Sequence, residues 1–271
     1  MTYFRSLPLL LRCGITLFAA FFSVIFLNLL LNGTRAVIAL HQRLAPPSLQ
    51  HGFGTDALGR DIFQQVMLAS GYSSLIALPA VALGLLLGVP IGLIAAVQKG
   101  WLSTCLMQSV DILFAFPALI AALLLQLLFG SGPLDALMAI TLYAIPVFAR
   151  VACSHGRTIA TFDFITAARL SGQNRIAIAF DHILPNIKVA LLTQASSQCA
   201  FAFIAEAGLA YIGIGIQPPI PSLGRMLAES QSLLTRAPWL VLWPGFMLFW
   251  IITACQMMGE GLVQYPVKGK R

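Results

Sequence analysis

Runs of apolar residues about as long as a bilayer is thick recur along this chain, and they fix the solvent in which it must fold. Lipid offers no hydrogen bonds to an exposed backbone, so a segment crossing it as a helix needs ~20 mainly apolar residues in succession. Six such runs stand out, near 13–31, 74–97, 109–129, 134–153, 187–209 and 240–262. Only 9% of the residues are charged and 59% are hydrophobic, whereas a soluble domain carries about 25% charged residues. The expected fold class is all-α: one polytopic membrane domain over residues 1–271 with about six transmembrane helices.

The charged residues gather between the runs. Arg35, Arg43, Asp56, Arg60 and Asp61 fall in 34–73, and each charge at mid-bilayer costs ~2.5–3.5 kcal/mol. That segment is read as an extramembrane loop with a short helix over 61–69. Segment 154–186 carries Arg157, Asp163, Arg169, Arg175 and Asp181 and is a second loop by the same reasoning. Lysines and arginines number eleven on the side of the two termini and of 154–186, against five on the other. Positively charged loops stay inside, so both termini and the 154–186 loop are expected in the cytoplasm. The first run resembles a signal-peptide core, but Asn32-Gly33-Thr34-Arg35 is a poor cleavage site, and a retained anchor is expected. In the second run Gly84, Gly88 and Gly92 share a helix face that lets a neighbour approach closely.

No catalytic constellation is found. There is no G-x-x-x-x-G-K-[ST], no H-E-x-x-H and no G-x-S-x-G; neither catalytic residues, cofactor nor metal is expected. His41 and His51 are read as solvent-exposed loop histidines. The five cysteines lack metal-ligand spacing and are read as small packing residues. The net charge of +7 is scattered rather than striped, so nucleic acid is not a partner.

The inner loop reads as helix, turn, helix. Phe162, Ile165, Ala168 and Leu170 give an apolar face, Gly172 stops the first helix, and the second is expected to end before Pro185. Ala167 and Ala168 would let this corner sit deeply in a partner's groove, although the pattern alone favours an ordinary amphipathic surface helix. At membrane depth, Thr193, Gln194, Ser197, Gln198 and Phe201 share a face, and Glu206 lies near the outer end of the same run. They either line a translocation path or make interhelical hydrogen bonds worth ~0.6 kcal/mol each. Asp111, near the inner end of its run, is read as structural.

The string Thr166-Ala167-Ala168-x-x-x-Gly172, then nine residues, then His182-x-Leu184-Pro185 resembles the E-A-A-x-x-x-G-x9-I-x-L-P loop of permeases from binding-protein-dependent ABC importers. Gly54-Thr55-Asp56-x-Leu58-Gly59-Arg60-Asp61, Val110-Asp111-Ile112-Leu113-x-x-Phe116-Pro117, and Glu206-Ala207 with Gly213-x-Gly215-x-Gln217-Pro218-Pro219 are similar to the dipeptide/oligopeptide/nickel branch. The resemblance implies an ABC importer type I permease fold in a bacterial cytoplasmic (inner) membrane. It also implies a second homologous permease subunit, two ATP-binding subunits and an extracytoplasmic solute-binding protein as partners. Thr166, Ala167, Ala168, Arg169, Gly172, His182, Leu184 and Pro185 would form the corner that couples to the ATPase. The cargo would be a short peptide, a nickel or other metal chelate, or a similar small solute. Thr166 replaces the motif's acidic residue, and Val263-Gln264-Tyr265-Pro266 replaces the family's charged tail. A stand-alone secondary transporter or channel is the alternative; it would call for buried ionisable pairs or an inverted repeat, and neither is clear in the sequence.

Overall fold

The computed structural model describes residues 7–32, 38–98 and 100–264. Arg5, Arg35, Lys99, Lys268, Lys270 and Arg271, counted above for orientation, lie outside them, as do Gly33, Thr34, Tyr265 and Pro266. The described residues form α1 (Leu9–Asn32), α2 (Ile62–Val97), α3 (Trp101–Ala115), α4 (Ala118–Phe129), α5 (Pro133–Ile159), α6 (Asp163–Leu170), α7 (Arg175–Ile212), α8 (Leu223–Ser230) and α9 (Trp239–Gln264). Five of these helices are long and apolar enough to cross a membrane, and α3 with α4 makes a bent sixth.

Four expectations about element bounds change. Residues 62–73 are not loop: the helix expected over 61–69 and the second span are one 36-residue helix, α2. It starts where the Asp61 carboxylate accepts the Gln64 N–H at 3.3 Å, an N-cap that satisfies a free donor of the first turn. At 1.5 Å per residue α2 is ~54 Å long, well beyond the ~30 Å hydrocarbon layer.

The third span is not one helix over 109–129. It begins earlier, at Trp101, and breaks at Phe116-Pro117, where α3 and α4 bend by 87°. The missing proline N–H and its fixed φ end the ladder there. The fourth span continues six residues beyond 153, to Ile159.

Nor does the helix after Gly172 end before Pro185. α7 runs from Arg175 to Ile212 through a widened turn at Ile178–Ile183, in which the Leu184 N–H bonds the Ala179 carbonyl five residues back. Wider spacing gives the proline ring room that an ordinary turn lacks. Gly213, at φ +93, closes the far end. Its N–H bonds Ala210 O at 3.1 Å and the Ile214 N–H bonds Leu209 O at 2.9 Å, the paired bonds of a left-handed glycine cap. The short helix α8, which no sequence pattern announced, folds back with Gly224 pressed on the Ala207 backbone.

The core lies between α2 and α5, with Leu93 and Phe148 fully buried. Gly84, Gly88 and Gly92 meet Ala144, Ile145 and Ala149 of α5 backbone to backbone, as the glycine face predicted. Phe21, Phe203 and Trp250 join α1, α7 and α9 edge to face, with ring centres 6.5 and 6.2 Å from Phe21. The alternating helices leave the start of α1, the end of α5, α6 and the end of α9 at one end of the bundle. Loop 38–61, the Gly213–Ser222 turn and the start of α9 lie at the other, tied by the Phe53–Trp243 stack at 3.7 Å and by Trp239 Nε1 donating to Thr55 O at 3.3 Å.

Candidate solute path and coupling corner

At the α6 end, one turn of chain presents the residues of the loop motif. In α6 only Ile165 is buried; Thr166, Ala167 and Arg169 are exposed, Ala168 is half-buried, and Leu170 is 85% exposed. Gly172 caps the helix at φ +79, with its N–H on Arg169 O at 3.1 Å and the Gln173 N–H on Ala168 O at 3.2 Å. Nothing lies within 4 Å of where its Cβ would stand, so the conformation demands glycine and the space does not. Asn174 Oδ1 accepts the Ile176 N–H and starts α7. His182 Nε2 and Gln173 Oε1, 2.7 Å apart, tie the turn to α7, Asn186 donates to His182 O at 2.7 Å, and Arg175 bonds Gln98 at the end of α2. Leu184 is half-buried and Pro185 exposed. The corner is held from within, and its outward face, with an apolar Leu170, is left open.

The polar residues of α7 do not form one stripe. Phe201 is exposed and Gln194 half-buried. Thr193 and Ser197 lie against Gly259 of α9, Gln198 is buried, and Glu206 is 1% exposed. The Glu206 carboxyl sits beside the hydroxyls of Ser73 and Ser222, where α2, α7 and the entry to α8 converge.

Sequence reasoning missed the residues that share the open face with Phe201. Tyr143 of α5 stacks on Phe201 with ring centres 4.6 Å apart and planes 24° apart. Phe114 of α3 stacks on Tyr143 at 5.8 Å. The Arg150 guanidinium lies 4.3 Å over the Phe114 ring, and its Nη2 donates to Asp111 Oδ1 at 2.8 Å. Asp111, read as structural, is thus paired. Opposite charges inside two apolar runs were the available signal, but nothing in their spacing pairs them.

At the opposite end, Asp56 gathers the G-T-D-x-L-G-R-D turn. Its Oδ1 accepts the Leu58 and Arg60 N–H groups, each at 2.8 Å, and its Oδ2 accepts from Arg60 Nε at 2.6 Å and Gln65 Nε2 at 3.0 Å. His51 is not a free loop histidine. It is part-buried, with its ring nitrogens 2.8 Å from Asp61 Oδ2 and 2.8 Å from Gln42 Oε1. A cavity of about 600 Å³ opens beside this turn between Arg60, Gln65, Tyr72, Pro219 and Arg225.

A bundle of membrane-length helices with an open aromatic face and an exposed helical corner fits a membrane transport subunit. The chain belongs to the family of binding-protein-dependent transport system inner membrane components, whose model matches residues 88–263. It is 34% identical over 250 residues to the dipeptide transport system permease protein of Alkalihalophilus pseudofirmus, covering 92% of this chain and 82% of that one. It is 33% identical over 216 residues to the glutathione transport system permease protein of Pectobacterium atrosepticum, covering 80% and 72%. Among solved structures, the inward-facing MetNI methionine ABC transporter aligns with a TM-score of 0.59 over 73% of this chain and 96% of that one, at 18% identity, a likeness of fold. The protein is therefore a multi-pass inner-membrane permease subunit of an ABC importer. It carries no catalysis of its own and works with ATPase and binding-protein components. The stand-alone transporter or channel reading falls.

Proposed function

We propose that this chain is one of two homologous permease subunits of a peptide importer, passing dipeptides, tripeptides or glutathione-sized peptides inward. The relatives carry the cargo class: they are named for dipeptides, di/tripeptides and glutathione, so a peptide is preferred to nickel or another metal chelate. In this reading both termini and the 154–186 loop are cytoplasmic, a solute-binding protein delivers cargo at the Asp56 end, and two ATP-binding subunits act from the other. One of them receives α6, with Thr166, Ala167, Ala168, Arg169 and Gly172 at the contact and His182, Leu184 and Pro185 bracing it. The exposed Leu170 beside a glycine-capped turn is the observation that supports this most, because an apolar side chain at 85% exposure on an eight-residue helix is what a docking surface leaves bare. Phe201 and Gln194 would face the path, while Gln198, Ser197 and Glu206 contribute from within the helix packing.

The test is uptake of labelled Ala-Ala and glutathione by cells carrying the whole system, with this chain deleted and then restored. Restoration of peptide uptake is expected. Uptake that returns for a nickel chelate but for neither peptide would overturn the cargo assignment.

A further inference from the structure

The pair Asp111–Arg150 stands where an isolated helix surface cannot hold charge cheaply. Asp111 is ten residues into α3, counted from Trp101, and Arg150 is nine residues short of the end of α5 at Ile159. At 1.5 Å per residue these lie ~13–15 Å along the helices from their ends, within stretches long and apolar enough to cross a membrane. Yet the two side chains are 57% and 45% exposed. Facing lipid, both would bear part of the insertion cost noted above. Covered by a dry apolar helix, both would lose solvent against one hydrogen bond, and desolvation exceeds what such a pair recovers. A wet wall leaves them hydrated.

The pair is also poised for more than its own bond. Its recorded contact engages Nη2 of Arg150 and Oδ1 of Asp111, and a guanidinium carries five N–H donors in a planar fork suited to a second carboxylate. The Phe114 ring lies beneath that guanidinium. From there Tyr143 and Phe201 continue the face as stacked rings, an apolar strip with an opposite-charge pair at one end.

We propose that Asp111 and Arg150 form a passing site for the charged ends of a zwitterionic solute. Its carboxylate exchanges onto Arg150, its ammonium onto Asp111, and its uncharged body slides on Tyr143 and Phe201. One ion pair is replaced by two while solute is present, so the site opens for a zwitterion and recloses behind it. This rests on the peptide reading above, and goes beyond it by naming residues that touch the cargo.

The test uses the assembled importer with its binding protein in proteoliposomes, measuring Ala-Ala uptake at saturating peptide. Delivery then no longer limits the rate, and the half-saturating concentration reports the binding protein. Arg150→Gln and Asp111→Asn are each expected to lower the maximal rate at least about tenfold, the scale of one lost charge-assisted hydrogen bond. Half-saturation stays put and the subunits still co-purify. The exchange Asp111→Arg with Arg150→Asp rebuilds an ion pair but removes the guanidinium from its ring, and uptake is expected to stay low. Recovery of the wild-type rate by the exchange, loss of co-purification in the single variants, or wild-type uptake in both would each overturn the site and favour a structural pair. Failure of the unaltered importer to move Ala-Ala would instead remove the peptide reading itself, and the site with it.

Discussion

The Cβ position of Gly88 in α2 falls on the backbone carbonyl oxygen of Ile145 in α5. Two long helices therefore touch main chain to main chain, and no side chain fits between them. A Gly88→Val substitution must push α2 and α5 apart along their largest contact. The expected loss is ~1–3 kcal/mol, the range for overpacking a filled core, seen as a lower unfolding midpoint in detergent. Gly208→Ala, where nothing lies within 4 Å of the added carbon, is the control and should hold or raise the midpoint, since alanine suits a helix interior better than glycine. Equal midpoints for Gly88→Val and wild type would mean the helices do not meet this way.

Coupling is tested at Gly172. A β-branched residue at φ +79 strains the turn by ~1–2 kcal/mol without striking any neighbour within the subunit. Gly172→Val should insert normally while losing co-purification of the ATPase subunits or the stimulation of their activity by solute. Arg169→Glu, on the exposed side of α6, should act alike. Wild-type behaviour of both variants in both assays would reduce α6 to a surface helix.

Orientation is tested by labelling single cysteines with a membrane-impermeant reagent. Leu49, fully exposed in the Asp56-end loop, serves as the position at that end. Leu49→Cys should label from outside intact cells and Arg169→Cys only after lysis. The reverse pattern would invert the proposed topology.

The two glutamines of α7 should now behave differently. Gln194→Leu is expected to lower uptake several-fold with the complex assembled, because the half-buried Gln194 shares the Phe201 side of the helix. Gln198 is buried, so Gln198→Leu should act through stability, by about 1 kcal/mol, with little effect on transport by the complex that forms. Identical effects on uptake would restore a single polar stripe.

The glycines were the most legible residues in this chain. Gly172 stops a helix, and Gly84, Gly88 and Gly92 admit a neighbouring backbone, because each role follows from the missing Cβ. The prolines were legible only in part. Pro79, Pro90, Pro146 and Pro244 lie inside helices, as the apolar runs around them implied, but Pro117 breaks one, and Pro185, read as a stop, sits just past a widened turn in a helix that continues. The ring's local effect is the same in all six; what differs is whether distant groups take up the freed carbonyls, which spacing does not record. The same holds for Asp111 and Arg150, 39 positions apart, and for His51, whose partners come from both sides of its loop. The open aromatic face, too, had to be seen.

The unbroken course of α7 has a mechanical consequence. Arg175, just after the Gly172 turn, and Ile212, at the far rim, are the two ends of one rod of 38 residues, ~57 Å long. A pivot of about 10° around its midpoint carries each end about 5 Å, in opposite directions, at that length. Phe201 and Glu206 lie on the far arm, so any swing that begins beside Gly172 reaches them reversed in sense and without delay at a hinge. Were the helix to pivot as one rod, its fulcrum would lie where α9 meets Thr193 and Ser197 near its middle.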